Sequence, residues 1–321
     1  MTRVLVTGAD GFVGRVTCAA LCARGFGVTA AVRGSGDFAA AIRCISVGEI
    51  GPETDWRAAL ADTDAVVHLA ARVHVMRESA ADPLALYRRI NVEGTRRLVE
   101  QAAQAGVSRF VFLSTIKVNG EHTSGIPFRE DDPPAPRDAY ARSKRDAEQA
   151  IAEVEGMRER AVVLRAPLVY GPGVKGNFLT LLKAVARGWP LPLGAIENRR
   201  SLIYAGNLAD AVGQALVHGR APGKRFMVSD GEDLSTPELV RRLARALGTR
   251  ACLIRVPVPV LRLIGSLAGR SEAIERLAGS LTADISKIRS ELGWRPPFGV
   301  DQGLAETARW FADKARGRPA A

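Results

Sequence analysis

Arg3-Val-Leu-Val-Thr7 runs directly into Gly8-Ala-Asp-Gly11-Phe-Val-Gly14, and this stretch decides the fold. The first five residues are mostly apolar and β-branched, the mark of a strand buried on both faces of a parallel sheet. A helical pattern continues from there through Arg24. Glycines between a strand and a helix let the backbone turn tightly and approach a pyrophosphate, which sits on the helix N-terminus. The spacing is G-x-x-G-x-x-G, not the commoner G-x-G-x-x-G. Strand, glycine loop and helix in that order predict a dinucleotide cradle formed by Gly8, Asp10, Gly11, Phe12, Val13 and Gly14.

Gly27 to Val32 reads as the second strand. A site for NAD usually ends this strand in Asp or Glu, which bonds the ribose 2′-hydroxyl. Here Val32 is followed by Arg33, whose guanidinium suits a 2′-phosphate. NADP(H) is therefore favoured, and NAD(H) stays open. Ile42 to Val47 reads as a third strand ending at Glu49-Ile50, where a carboxylate can accept the adenine amino group and Ile50 can pack on the ring. Ala65 to Ala71 is a fourth strand running into Leu69, Ala70 and Ala71, over which a cofactor can lie closely. His68, inside the apolar run, reads as a satisfied core histidine rather than a catalytic one.

Leu84 to Ala105 reads as one long helix carrying Asn91-Val-Glu-Gly94-Thr95. A polar Asn91 on an apolar face is expected to bond neighbouring backbone or an ordered water. The fifth strand, Phe110 to Thr115, ends in two hydroxyls, Ser114 and Thr115. Open α/β sheets bind ligands outside the carboxyl ends of their strands, so both hydroxyls are expected to face that crevice. The loop from about Asn119 to Asp138 is rich in Gly, Pro and acids and is expected to be a substrate-facing lid.

The loop delivers the chain to Tyr140-Ala-Arg-Ser-Lys144. A Tyr and a Lys four residues apart on a helix share one face. A phenol of pKa near ~10 is a poor base at neutral pH, but a cation beside it favours the phenolate. Such a pair can exchange a proton with a substrate oxygen near neutrality. The spacing alone is equally that of a solvated helix face.

At 321 residues the chain fits one large domain or two smaller ones. The net charge of +11 points to anionic ligands. The basic residues are scattered along the chain with no Lys/Arg block, so no nucleic-acid partner is expected. Cys18, Cys22, Cys44 and Cys252 have no metal-ligand spacing, so no metal site is expected. Cys18 and Cys22 are expected to be buried, reduced thiols. Residues 256–269 are apolar but broken by Pro257, Pro259 and Arg262, too short to span a bilayer. A helix packed on the second lobe is expected there, with no membrane insertion. Met1 runs straight into a strand, so a cytoplasmic location is expected.

In the second half, Ala161 to Arg165 is a sixth strand followed by Pro167 and a Gly/Pro-rich turn. Asn177 opens a helix, either as a simple N-cap or as a group for a diphosphate or uracil. Arg199-Arg200 precede an apolar strand and can clamp a pyrophosphate. Residues 236–247, 258–268, 284–292 and 301–316 read as helices of a smaller lobe over the crevice. The expected division is a dinucleotide-binding domain over 1–170 plus about 200–228, and a substrate-binding lobe over 171–199 and 229–321.

Gly8/Gly11/Gly14, Glu49-Ile50, Asn91-Val-Glu-Gly94-Thr95, Ser114-Thr115 and Tyr140/Lys144 occur in one order at separations that resemble the extended short-chain dehydrogenase/reductase superfamily of nucleotide-sugar epimerases, dehydratases and reductases. The resemblance covers nearly the whole chain. It implies an α/β fold: a Rossmann-type doubly wound parallel sheet with a smaller, mostly helical substrate-binding lobe. It also implies that Tyr140 is the acid/base and that Thr115 bonds the reacting sugar oxygen. Lys144 would lower the Tyr140 pKa and hold the nicotinamide ribose, with Asn91 supporting the site and Ser114 and Pro167 beside the cofactor. Lys117, Asn177 and Arg200 would meet a UDP-linked sugar. The family's arginine motif is not recognisable near Leu277 to Leu281, and Arg276 is a candidate substitute. A homodimer through the helices near 84–105 and 138–155 is expected on the same ground.

Phe112 to Gly120, Leu168 to Phe178 and Arg200 to Asp210 resemble a bacterial subgroup: UDP-sugar 4-epimerase-like proteins and UDP-4-keto-6-deoxy-N-acetylhexosamine reductases of O-antigen biosynthesis. Family dehydratases carry an Asp-Glu pair after the Ser/Thr; here Ile116-Lys117 stand there, which excludes dehydration. The leading expectation is an NADPH-dependent reductase of a UDP-4-keto-6-deoxy-N-acetylhexosamine, on the strength of Val32-Arg33. A UDP-hexose 4-epimerase with tightly bound NAD is the alternative. A non-catalytic nucleotide sensor is remote, because Tyr140 and Lys144 are both present.

Overall fold

The computed structural model describes residues 1–73, 82–269 and 271–316. The chain opens with β1 (Arg3–Thr7), α1 (Phe12–Ala23), β2 (Gly27–Val32) and β3 (Arg43–Ser46). It continues through α2 (Arg57–Leu60), β4 (Ala65–His68), α3 (Pro83–Tyr87), α4 (Gly94–Gln104), β5 (Arg109–Thr115), α5 (Ala139–Glu153) and β6 (Ala161–Ala166). Then come β7 (Leu168–Tyr170), α6 (Gly176–Ala186), β8 (Arg200–Tyr204), α7 (Ala205–Val217), β9 (Lys224–Met227) and β10 (Asp233–Leu234). The last helices are α8 (Thr236–Ala246), α9 (Val258–Leu267), α10 (Ser271–Ala278), α11 (Ser286–Leu292) and α12 (Val300–Ala315).

Seven strands form one sheet in the order β3-β2-β1-β4-β5-β6-β9, every pair parallel. The chain winds outward from β1 in one direction and returns to β4 on its other side. The carboxyl ends of β1 and β4 therefore flank the switch point where such sheets bind ligands. Helices cover both faces, which is why these strands are near-continuous apolar runs. Cys18, Leu21, Leu208, Val212, Ile288 and Leu292 fill one side. Leu98, Val99, Ala102, Ala147 and Ile151 fill the other. A doubly wound α/β fold is what the glycine-loop stretch predicts.

A second, three-stranded sheet has the order β10-β8-β7 and packs with α6, α8, α9 and α12 through Phe178, Leu182, Val240, Leu243, Leu261 and Leu304. Residues 200–204 thus lie in the small sheet, whereas α11, from the C-terminal part, packs in the core of the large one. An Asp230 carboxylate joins the two: it accepts from the Tyr170 hydroxyl at 2.8 Å, from Asn207 Nδ2 at 2.7 Å and from Tyr204 N at 2.8 Å. This gives Asn207, inside the Arg200–Asp210 motif, a structural task.

Two expectations are corrected. The long helix over 84–105 is interrupted: α3 gives way to a π-helical turn at Arg88–Glu93 before α4 begins. π-Turns re-aim side chains at functional positions, and this one carries Asn91. The 119–138 segment is a strap rather than a lid. Its backbone bonds the lobe at Thr123 N to Ser280 O, Phe128 N to Thr282 O and Asp284 N to Phe128 O, each 2.9 Å. Buried side chains hold its base: Asn119 donates to Arg129 O, and Glu130 accepts from Met227 N at 2.6 Å. A segment with its backbone donors so satisfied does not open cheaply.

The four cysteines are free thiols; Cys18 is buried, Cys22 half-buried, and burial pushes the Cys18 thiol up to about 12. Among the described residues no cluster could hold a metal ion, and no helix is long and apolar enough to cross a membrane.

Candidate active site

The glycine loop is built by steric necessity. Gly8 has φ +65°, a left-handed conformation that favours glycine, and its turn closes with Gly11 N donating to Gly8 O at 3.0 Å. A Cβ on Gly14 would stand 2.1 Å from Gly8 O, and one on Gly8 would stand 2.8 Å from the Ala70 backbone. The loop is thus pressed against α1 on one side and the 69–71 segment on the other. No side chain caps the start of α1, and its first turn has no acid, so its N–H groups are open to an anion. Gly8, Gly11 and Gly14 are thereby brought together with Leu69, Ala70 and Ala71.

His68 is a core histidine, as its place in an apolar run predicts, but it has a task. Its Nδ1 lies 2.6 Å from Thr7 Oγ1 and its Nε2 lies 2.9 Å from Thr95 Oγ1. Thr95 donates its own hydroxyl proton to Asn91 O at 2.7 Å, so its oxygen must accept from the ring. The ring therefore carries its proton on Nε2, and Thr7 donates to Nδ1 while accepting from Ala70 N at 3.3 Å. Burial, with the Lys144 charge adding to it, pulls the His68 pKa down to about 3 and keeps the ring neutral.

Asn91 extends this chain to the catalytic helix. Its Oδ1 accepts from Arg72 N at 2.7 Å, and its Nδ2 donates to Arg72 O at 3.0 Å and to Ser143 Oγ at 2.8 Å. Ser143 in turn donates to Tyr140 O at 2.7 Å. Backbone bonding is what a polar residue on that apolar face foretold. A bonded line thus runs from Thr7, next to the glycine loop, to the first turn of α5.

Tyr140 and Lys144 stand on α5 as the spacing predicts, with Asp138 capping the helix through Ala141 N at 2.6 Å. Lys144 is buried, its Nζ 4.0 Å from the centre of the Phe112 ring on β5. No described residue accepts a hydrogen bond from that nitrogen. Burial pulls its pKa down to about 7, against the Glu148 charge. The Tyr140 phenol is pushed above its ordinary value, by burial first and then by Asp138 and Tyr87. In the protein alone desolvation sets the direction at this oxygen.

Thr115 ends β5, buried, and accepts from Lys117 N at 3.3 Å. Ser114 is corrected: its hydroxyl does not face the crevice but donates to Glu148 Oε1 at 2.5 Å, beside the buried Arg165–Glu148 pair. Successive strand residues point to opposite faces, so both hydroxyls could not turn the same way. Lys117, expected to meet substrate, is clamped by Glu121 at 2.9 Å and Asp138 at 2.6 Å. Sequence reasoning missed both acids; Asp138, two residues before Tyr140, was open to detection as the cap.

Further out, Arg33 is exposed immediately beyond β2, and Glu49 is exposed beyond β3. Ile50 packs against α4, where a Cβ on Gly94 would come within 2.7 Å of Ile50 Cγ2. Pro167 is buried where the chain leaves β6 for β7. Asn177 is exposed in the first turn of α6 but is not its cap, a position held by Lys175. Arg200 Nη1 donates to Arg276 O at 2.7 Å and Gly279 O at 3.0 Å, tying one guanidinium nitrogen to the end of α10. Burial lowers the Arg200 pKa and Glu121 opposes it, which places Arg200 beside the Lys117–Glu121 pair. Arg276 itself is half-buried on α10.

These residues fit a nicotinamide dinucleotide. The glycine contacts leave no room for a side chain where a pyrophosphate would lie, and Lys144 presents a buried, unbonded nitrogen near the ends of β4 and β5. The chain matches the NAD dependent epimerase/dehydratase family over residues 4–229 and belongs to it. It is 43% identical over 312 residues to a UDP-glucose 4-epimerase of Vibrio cholerae, covering 96% of this chain and 95% of that one. Among solved structures it is similar to MoeE5 in complex with UDP-glucuronic acid and NAD, at 28% identity and a TM-score of 0.78, covering 97% of this chain and 99% of that one. A UDP-glucuronic acid 4-epimerase from Bacillus cereus in complex with NAD shares the fold with a TM-score of 0.80 at 22% identity, covering 99% of each chain. The chain is an enzyme of the extended short-chain dehydrogenase/reductase type.

Proposed function

We propose that the protein is a UDP-hexose 4-epimerase, acting on a UDP-linked sugar with a retained nicotinamide dinucleotide. The observation that carries this reading is the pair of residues after Thr115. Ile116 is buried and Lys117 is locked between Glu121 and Asp138, so neither supplies the acid and base that removal of water needs. One proton-transferring group, Tyr140, remains on the catalytic helix beside Lys144. A 4-epimerase needs one such group, because the same sugar oxygen loses a proton and regains it. End-to-end similarity to a UDP-glucose 4-epimerase supports the same reading.

The cofactor, when bound, supplies a reversible hydride acceptor for sugar C4. Gly8, Gly11, Gly14 and the open start of α1 would hold its pyrophosphate, and Lys144 its ribose. Tyr140 takes the proton from the C4 hydroxyl and returns it to the same oxygen, with Thr115 bonding that oxygen and fixing its direction. The Lys144 ammonium favours the phenolate through its positive charge, against the desolvation that opposes it. Thr7, His68, Thr95, Asn91 and Ser143 hold the glycine loop and α5 in register throughout. Arg200 serves the diphosphate through the guanidinium nitrogens it does not give to α10, and Asn177 and Arg276 serve the nucleotide end.

Purified protein incubated with UDP-glucose or UDP-N-acetylglucosamine and no added cofactor should yield the 4-epimer. No epimer from either sugar would overturn the reading. One observation favours a second reading. Arg33 stands exposed after a strand with no terminal carboxylate, which suits NADP(H) and an exchangeable reductant. Consumption of added NADPH with a UDP-4-keto-6-deoxy-N-acetylhexosamine, absent in Arg33→Asp but retained with NADH, would establish the reductase instead.

A further inference from the structure

The outer face of the lobe has a feature that the reaction does not use. Helix α9 buries only the ridge of Leu261 and Gly265. Its opposite face presents Val260, Leu263, Ile264 and Leu267, at 43%, 61%, 55% and 82% exposure. The spacing i, i+3, i+4, i+7 puts these four side chains in one stripe. Ile254 and Trp189 are also exposed, on two segments that are paired through Leu191 and Leu253 just before the helix. Exposed aliphatic residues are ordinary singly; a stripe of four on one short helix is not.

The chain that leads into and through this stripe is rich in arginine. Residues 239–271 contain seven arginines and no aspartate or glutamate. Arg245, Arg250 and Arg255 are exposed and make no ion pair among the described residues. Arg187, also exposed, lies over the Trp189 ring at 5.2 Å. Arg262 on α9 is paired with Glu275 at 2.7 Å, but an apolar stripe preceded in the chain by the unpaired Arg245, Arg250 and Arg255, and by an exposed tryptophan, has the make-up of a surface that lies in the headgroup region of a bilayer.

We propose that this face of the lobe docks on an anionic phospholipid surface. The leucines and isoleucine of α9 enter the boundary between headgroups and acyl chains, and the arginines pair with lipid phosphates. The helix has 10 residues, so it lies on the membrane and does not cross it. Two other occupants fit less well. A symmetric contact between two copies would set the same arginines against each other. Nucleic acid would use the arginines but leave the aliphatic stripe in water. The proposal rests on the outer surface of the lobe and not on the reading of the active site.

The test is co-sedimentation of the full-length protein with vesicles, one set of phosphatidylcholine alone and one of phosphatidylcholine with phosphatidylglycerol. The protein should pellet with the second set and stay in solution with the first. Leu263→Asp/Leu267→Asp should lower the bound fraction at least about tenfold. Arg250→Ser/Arg255→Ser should weaken binding and reduce its loss with added salt. Turnover of a soluble UDP-sugar should be unchanged in both variants, because none of the four positions belongs to the catalytic or binding residues. Three results would overturn the proposal: wild type that ignores anionic vesicles, a double aspartate variant that binds as well as wild type, or a dimer in sedimentation velocity that this variant converts to monomer. The vesicle assay does not depend on turnover, so its failure and failure of the epimerase reading are separate outcomes.

Discussion

Thr7 Oγ1 lies 2.6 Å from His68 Nδ1, and this bond joins the strand that feeds the glycine loop to the histidine that reaches Thr95 and Asn91. Thr7→Val keeps the shape but removes the donor. It leaves the ring nitrogen and Ala70 N–H without their partner inside the core. The expected cost is about 1–3 kcal/mol in urea unfolding at pH 7. An unchanged midpoint would show the chain of bonds to be ornamental. Acid should act through the same ring: a histidine near 6.5 when unfolded and about 3 when folded binds more protons in the unfolded chain. The stability this contributes is complete above pH 6.5 and is lost as pH falls towards 3.

Lys144 acts on stability in the same direction, in a higher pH window. Its ammonium ordinarily titrates at 10.5, and burial brings that to about 7 in the folded protein. Between those values the unfolded chain holds a proton that the folded chain does not, so wild-type stability should rise with pH across that window. Lys144→Met removes the buried charge. The variant should be inactive yet more stable than wild type at pH 7, by about 1–4 kcal/mol. That advantage should shrink as pH approaches 10.5. Denaturant midpoints at both ends of the range decide it; a variant less stable at pH 7 contradicts the buried-charge penalty.

The parts of this protein legible in sequence are those where one local pattern has one physical meaning. Strand, glycine loop and helix at Arg3 to Gly14 decide the sheet type, and the Tyr140/Lys144 spacing survives because a helix cannot place those residues elsewhere. What sequence could not carry is tertiary choice. Nothing local says that Ser114 turns to Glu148 while Thr115 accepts from Lys117 N, or that Lys117 meets Glu121 and Asp138. The π-helical turn at Arg88–Glu93 breaks a periodicity that reads as one helix, because apolar spacing does not register an added residue per turn. The 119–138 strap reads as a lid because its anchors are backbone bonds to residues far away in sequence, Ser280, Thr282 and Asp284. Arg33 remains a local signal whose meaning depends on a cofactor the spacing alone cannot name.

Tyr140→Phe tests the chemistry itself. The variant keeps the ring and its burial but cannot exchange a proton with the sugar oxygen. Turnover should fall by about 10²–10⁴, the usual contribution of a positioned acid/base. UDP-sugar affinity should stay within about twofold, since the uridine and diphosphate contacts are elsewhere. A variant that turns over like wild type would remove Tyr140 from the mechanism. One that fails to bind UDP-sugar would assign the residue to binding instead.

Arg165 on β6 holds the strap to the sheet and is the place where one substitution should cost most. Its Nε and Nη2 bond the two Glu148 oxygens at 3.0 and 2.6 Å, and its Nη1 donates to Asn119 Oδ1 and Glu130 O, each at 3.0 Å. Both side chains of the ion pair are at most 5% exposed. Arg165→Met fills the volume but leaves the buried Glu148 carboxylate with only the Ser114 hydroxyl and the half-exposed Arg225 guanidinium at 3.7 Å, and it frees Asn119 and Glu130 of the strap. The loss should be about 3–5 kcal/mol, the range for breaking a buried pair from one side. Arg165→Met/Glu148→Met removes both charges and should recover part of that loss, because the desolvation of a poorly compensated carboxylate is gone. Cleavage of the 119–138 segment by a protease should quicken in the single variant, since Asn119 and Glu130 lose the group that anchors them. A double variant no more stable than the single one would mean that the pair matters through its strap contacts and not through its charge.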